Sequence, residues 1–123
     1  MFSKKEEFFM GRVKSIQYAL KGLWILLTTE HSIIIQFFIA VILTIIGFIV
    51  QLSAIEWMLQ LLAIGLVMVA EALNTAVEKL TDYIHPEYDK KIGLIKDISA
   101  GGPAIAAIIA IIIGCIIYIP KFS

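Results

Sequence analysis

Three stretches of the chain run almost without charge, and polar residues gather at their ends. Residues 33–50 (IIIQFFIAVILTIIGFIV) carry no charge over 18 positions, enough at ~1.5 Å per residue for a helix to cross most of a ~30 Å hydrocarbon layer. The abundance of β-branched residues would suit a strand. Lipid, however, offers no partner to the backbone groups of an open sheet edge, so this first span is predicted to be helical. Gln51-Leu52-Ser53 interrupts it, and Ser53 with Glu56 three residues on has the spacing of a capping box that starts a second helix. That second span is predicted over 53–82. It is apolar from Ala54 to Ala70 apart from Glu56 and Gln60, and amphipathic from Glu71 onward, as if leaving the lipid. Residues 85–93 (HPEYDKKIG) combine proline, glycine and charge and read as a solvated loop. The third span, 98–119, is uncharged over 22 residues, but Gly101-Gly102-Pro103 falls near its start. A proline inside a helix costs about 3 kcal/mol, so the helix is expected to begin or kink there. Upstream, residues 4–28 place Val13, Ile16, Leu20, Leu23, Trp24 and Leu27 at roughly helical spacing among basic residues, which predicts a helix lying in the membrane interface.

The expected fold is therefore all-α: three transmembrane helices and an N-terminal interfacial amphipathic helix in one domain, 1–123. Composition agrees, since 60% of the 123 residues are hydrophobic and only 16% charged, more apolar surface than a small water-soluble domain could hide. Net charge is zero, but of the ten Lys and Arg five lie in residues 4–21, none in 22–78, four in 79–96 and the last at Lys121. That distribution marks topology rather than nucleic-acid binding, and puts the N-terminal segment and the 79–96 region on the cytoplasmic side. No small-residue cleavage site follows the first apolar run, so that span is expected to remain in the mature protein. The single cysteine, Cys115, excludes an intrachain disulfide. His31 and His85 lack a second histidine at ligand spacing and read as interfacial or loop residues.

Chemistry concentrates where the second span leaves the lipid. From Glu71, the residues Asn74, Glu78 and Asp82 follow at +3, +7 and +11, which holds all four within roughly an 80° arc of one helix face over about 16 Å. Ionisable groups at the edge of a span are costly to desolvate and mark functional sites, although the water-exposed end of a long helix would also look polar. Glu71 speaks for function, because it follows 14 residues (Trp57–Ala70) whose only polar side chain is Gln60. Glu30, ahead of the first span, and Lys96-Asp97, ahead of the third, fall at the same membrane level. Carboxylates beside a lysine suit phosphoryl transfer, in which Mg2+ is held by one or two carboxylates plus substrate phosphates. No Walker-A loop, kinase glycine-rich loop or HEXXH occurs in the chain.

The stretch EALNTAVEKLTD, Glu71 to Asp82, resembles the signature of the prokaryotic diacylglycerol kinase family, small three-span enzymes unrelated to soluble kinases. Tyr18-Ala19, Lys21-Gly22-Leu23, Glu30, Glu87-Tyr88 and Lys96-Asp97 extend the resemblance over roughly residues 11–119. It implies a homotrimeric bundle in the bacterial inner membrane, with active sites shared between neighbouring subunits on the cytoplasmic face. There the γ-phosphate of ATP passes, with Mg2+, to a membrane lipid hydroxyl. By the same resemblance Glu71 is the catalytic base and Asn74 helps to arrange the site. Glu30 and Glu78 bind metal. Tyr18, Glu87, Tyr88, Asp89, Lys96 and Asp97 contact the nucleotide along with the two metal carboxylates, and Arg12 matches an N-terminal arginine across a one-residue gap, toward nucleotide and lipid.

Two departures stand out. Many relatives follow Glu30 with Asn and a basic residue, whereas this chain reads His31-Ser32-Ile33-Ile34-Ile35-Gln36, keeping Gln36 but lacking the charge. Relatives also carry small residues after Lys96-Asp97 where this chain has Gly101-Gly102-Pro103. The expected acceptor is diacylglycerol, with undecaprenol as the alternative, since both offer a primary hydroxyl at the same depth. A non-enzymatic membrane protein using the stripe for ion binding is the rival of another class. A transport path would need polar groups across the bilayer, and the outer part of the second span has only Gln60.

Overall fold

The computed structural model describes residues 3–123. Four helices follow one another: α1 (Lys4–Thr29), α2 (His31–Ile49), α3 (Ala54–Ile84) and α4 (Lys90–Phe122). The last three are each long and apolar enough to cross a membrane.

α1 starts on a reciprocal capping box between Ser3 and Glu6 and ends at Glu30, the single residue that separates it from α2. No residue of α1 is buried, and Phe8, Phe9, Ile16, Leu20, Leu23 and Trp24 all stay exposed, as suits a helix whose apolar face awaits a lipid interface.

α2 and α3 are joined by a tight turn. The amide of Leu52 donates to the carbonyl of Gly47 at 3.0 Å, and Gln51 adopts φ 57°, a left-handed conformation that closes the helix end as in a Schellman motif. Leu52 tucks into the turn and is buried, and the rings of Phe48 and Trp57 meet at 4.9 Å between centroids. α3 then begins on the Ser53–Glu56 capping box that the sequence spacing predicts.

α3 packs chiefly along α4, and α2 lies more loosely against α3. Glu71 is 18 residues beyond Ser53, about 27 Å along the helix and so near the far edge of a ~30 Å hydrocarbon layer. With 31 residues, α3 extends well past that edge.

The third span differs from expectation. α4 begins at Lys90, inside the segment read as a loop, and continues unbroken through Gly101-Gly102-Pro103. Only residues 85–89 separate it from α3. Hydropathy locates where a helix enters lipid, not where it starts, and the charged first turns of α4 lie outside the apolar zone. Pro103 deprives one carbonyl of its amide partner, but membrane helices tolerate this where neighbouring helices and local adjustment compensate. An added Cβ at Gly101 or Gly102 would meet no atom within 4 Å, and close packing begins one turn on, where Ala106 is 2% exposed.

Candidate functional site

At one end of the bundle, the polar stripe of α3 lies between the start of α2 and the first turns of α4. Lys79 Nζ stands 3.1 Å from Glu30 Oε1, tying α3 to the α1–α2 junction. One turn further along, Lys96 of α4 forms an ion pair with Asp82 of α3. Glu30 and Lys96, distant in sequence, are thus brought to the Lys79–Asp82 end of the stripe, with Glu71 about two turns further into the bundle.

Within the stripe, Asn74 Nδ2 donates to Glu78 Oε1 at 3.2 Å, a contact between residues four apart on one face. Asn74 is buried, and its Oδ1 has no hydrogen-bond partner. Thr81, also buried, turns its hydroxyl back to the carbonyl of Glu78 at 2.9 Å. Glu71 is half-buried, and Glu78 is exposed. A half-buried carboxylate at the lipid edge and an exposed one about two turns further on, with an amide between them, lie along one helix face.

The remaining residues singled out in the sequence lie around this centre. Tyr88 and Glu87 are exposed in the short α3–α4 connection, where His85 Nδ1 lies 2.8 Å from the Glu87 carbonyl oxygen. Tyr88 rests over Gly93, where an added Cβ would come 3.4 Å from the ring. Asp89 is the N-cap residue of α4, and its carbonyl accepts from the Gly93 amide at 2.8 Å. Asp97 is exposed next to the paired Lys96. On α1, Tyr18 is exposed, and the Arg12 guanidinium lies 5.0 Å from the centre of the Phe8 ring. Among the described contacts, neither α1 residue is joined to the α3 stripe.

Lys79 was not legible as a site residue. It is 49 positions from Glu30, and no local spacing announces the pair.

Among the described residues no three acidic, histidine or cysteine side chains form a ready-made metal cluster. Magnesium does not require one. It keeps several waters and takes one or two carboxylates together with substrate phosphates. Glu30, held by a lysine that substrate could displace, and the exposed Glu78 supply hard oxygen donors of that kind, and the buried Asn74 Oδ1 beside Glu78 is an acceptor still without a partner. The residues present fit the ion.

Comparison with known proteins covers nearly the whole chain. Residues 17–118 match the family model described as prokaryotic diacylglycerol kinase. The undecaprenol kinase of Bacillus subtilis strain 168 is 38% identical over 108 residues, 88% of each chain. The diacylglycerol kinase of Escherichia coli K12 is 33% identical over 119 residues, 94% of each chain. That of Synechocystis is 32% identical over 111 residues, which cover 89% of this chain and 63% of the relative.

Proposed function

The chain belongs to the prokaryotic diacylglycerol kinase family of membrane lipid kinases, and from that premise we propose that it transfers the γ-phosphate of ATP to the primary hydroxyl of a membrane lipid at the cytoplasmic face of the bacterial inner membrane. The observation that carries this reading is the convergence of the α3 stripe with Glu30 and Lys96 at one end of the bundle.

Glu71, at the edge of the apolar zone, is the general base. It accepts the proton of the lipid hydroxyl as that oxygen bonds to the γ-phosphorus, and the bond from the γ-phosphorus to the bridging oxygen breaks to release ADP. Asn74 holds Glu78 through its amide and keeps Oδ1 free for the bound substrates. Glu30 and Glu78 would hold Mg2+, which when bound offsets the charge of the β- and γ-phosphates. Lys96, released from Asp82, adds positive charge near the transferred group. Tyr88, Glu87, Asp89 and Asp97 line the approach of the nucleotide, and Tyr18 and Arg12 of α1 close over it in the assembled protein. Much of the rate comes from holding a water-soluble and a lipid substrate together at one interface.

The assembled form is a homotrimer with shared sites. Support lies in the large apolar side chains left exposed along all four helices and in an α1 that packs within its own chain chiefly against α2.

Diacylglycerol is the acceptor that the family description favours. Undecaprenol is the second reading, favoured by the greater identity to the Bacillus subtilis undecaprenol kinase, 38% against 33%. The test is ATP-dependent phosphorylation by the purified protein in mixed micelles that offer each lipid in parallel. Transfer to one of them names the acceptor, and transfer to neither, by a folded oligomer across a range of magnesium, overturns the reading.

A further inference from the structure

Between α2 and the α3–α4 pair lies a cavity of about 190 Å³, lined by Ala40, Leu43, Ala63, Val67 and Gly114, among others. Its outer end is closed by a polar contact that ties all three helices together. Tyr118 of α4 donates its hydroxyl to the Gln60 side-chain oxygen, and Gln60 Nε2 donates to the Leu43 carbonyl of α2 at 3.2 Å. Gln60 is 5% exposed, so this contact forms a floor inside the apolar zone. At the opposite end stand Gln36 and Met68, and the buried Gln36 Oε1 has no partner.

The cavity runs toward the site and ends at Gln36 and Met68, three residues short of Glu71 on α3. Gln60, Ala63, Ile64 and Val67 lie on one face of α3, and Glu71, 11 residues from Gln60, returns to within about 20° of the same direction. The distance from floor to Glu71 is about 16 Å along the helix. One turn of a helix from a second copy, ~10 Å across and ~5.4 Å long with side chains, takes up roughly 400 Å³, more than the 190 Å³ of this space. Water gains little at the floor, whose polar groups are already engaged. A single hydrocarbon chain fits, with its polar end toward Gln36 and Glu71.

We propose that the cavity receives the tail of the lipid acceptor and that Gln60 and Tyr118 set its depth, making them specificity-determining residues that limit how much of the tail the enzyme senses. The inference rests on the lipid kinase reading above. Tail carbons between Glu71 and the floor add affinity as they are buried, and carbons beyond it turn sideways into the bilayer and add none.

The test uses the full-length protein in micelles and a series of primary-alcohol lipids that differ only in tail length. For the unaltered protein, KM falls as the tail lengthens and then levels off. Tyr118→Ala removes part of the floor and moves that break to longer tails. Gly114→Phe, at a position where an added Cβ meets no atom within 4 Å, moves it to shorter tails and raises KM for long ones about tenfold, the scale on which a pocket discriminates by methylenes. KM for ATP stays the same in all three. A second readout needs no turnover: a lipid with a photoreactive group at the tail end labels residues near Gln60 and Tyr118 rather than the exposed Leu62 and Ile116. Phosphorylation with one length dependence in all three proteins and scattered labelling overturns the inference and leaves the kinase reading standing. Dissociation of the oligomer by Gly114→Phe, with equal loss on every tail, overturns it in favour of a second copy at this face. Labelling at the floor without phosphorylation of any lipid supports the tail cavity and overturns the kinase reading.

Discussion

Lys79 Nζ lies 3.1 Å from Glu30 Oε1, so a cation of α3 occupies the carboxylate that the family resemblance makes a metal ligand. The Lys79 side chain is 68% exposed against 21% for Glu30, and an ion pair so open to solvent stabilises the fold by about 0–1 kcal/mol. Its consequence is competition rather than stability. Lys79→Met is expected to leave the unfolding temperature in detergent nearly unchanged. It should lower the magnesium concentration for half-maximal activity by about two- to fivefold, the factor that a lost contact of ~0.5–1 kcal/mol commands. An unchanged or higher magnesium requirement contradicts the assignment of Glu30.

Asn74 is buried with one donor used and its acceptor unpaired. A buried acceptor without a partner costs about 1–3 kcal/mol, which makes sense where a bound substrate completes it. Asn74→Leu, similar in size, is expected to cost no stability beyond about 1 kcal/mol and to lower kcat by about 10²- to 10³-fold, as loss of a preorganised polar group does. Steady-state kinetics beside thermal unfolding separates the two effects. A stable Asn74→Leu protein with full kcat refutes the role.

The outer turn is packed to its limit at Gly47. A Cβ there would stand 2.7 Å from Trp57 Cη2 and 2.9 Å from Leu52 Cδ1. Gly47→Ala should therefore destabilise by about 1–3 kcal/mol, the usual range for overpacking. Combining it with Trp57→Leu should recover part of that loss, because the two positions touch and their effects do not add. Unfolding of single and double variants in one detergent measures the coupling, and strict additivity rules out the clash.

Gln51 holds φ 57° in the same turn, where a residue with a Cβ is strained. Gln51→Gly relieves that strain, offset in part by the greater freedom of the unfolded chain. A net gain of about 0.5–1 kcal/mol is expected, read as a higher unfolding temperature with unchanged kcat. A loss of stability would show that the Gln51 side chain contributes more than the strain it brings.

The membrane helices were legible because lipid imposes a simple rule: charge disappears wherever the chain is inside it. The Ser53–Glu56 capping box was equally legible, since both partners lie within one turn. The start of α4 at Lys90 was not, because Pro103 and the Gly pair mimic a helix boundary and charged residues mimic a loop, although both are compatible with helix outside or at the edge of lipid. In the candidate site, the common face of Glu71, Asn74 and Glu78 was legible from their period, and Asn74 and Glu78 do meet on it. The Glu30–Lys79 and Asp82–Lys96 pairs depend on how three helices are set against one another, which spacing within one helix cannot encode. Tyr118 sits in a run that reads as uniformly apolar, and Gln60 was visible only as a lone polar residue. What they do together emerges only when α3 and α4 are side by side.

The central claim is that Glu71 takes the proton of a lipid hydroxyl during phosphoryl transfer from ATP. The most direct measurement compares single-turnover transfer from ATP to the acceptor lipid by the unaltered protein and by Glu71→Gln, with nucleotide affinity determined separately for each. The account predicts equal nucleotide affinity and a transfer rate reduced by about 10²- to 10⁴-fold in the variant, the range for loss of a positioned general base. Transfer at an undiminished rate by Glu71→Gln would contradict it.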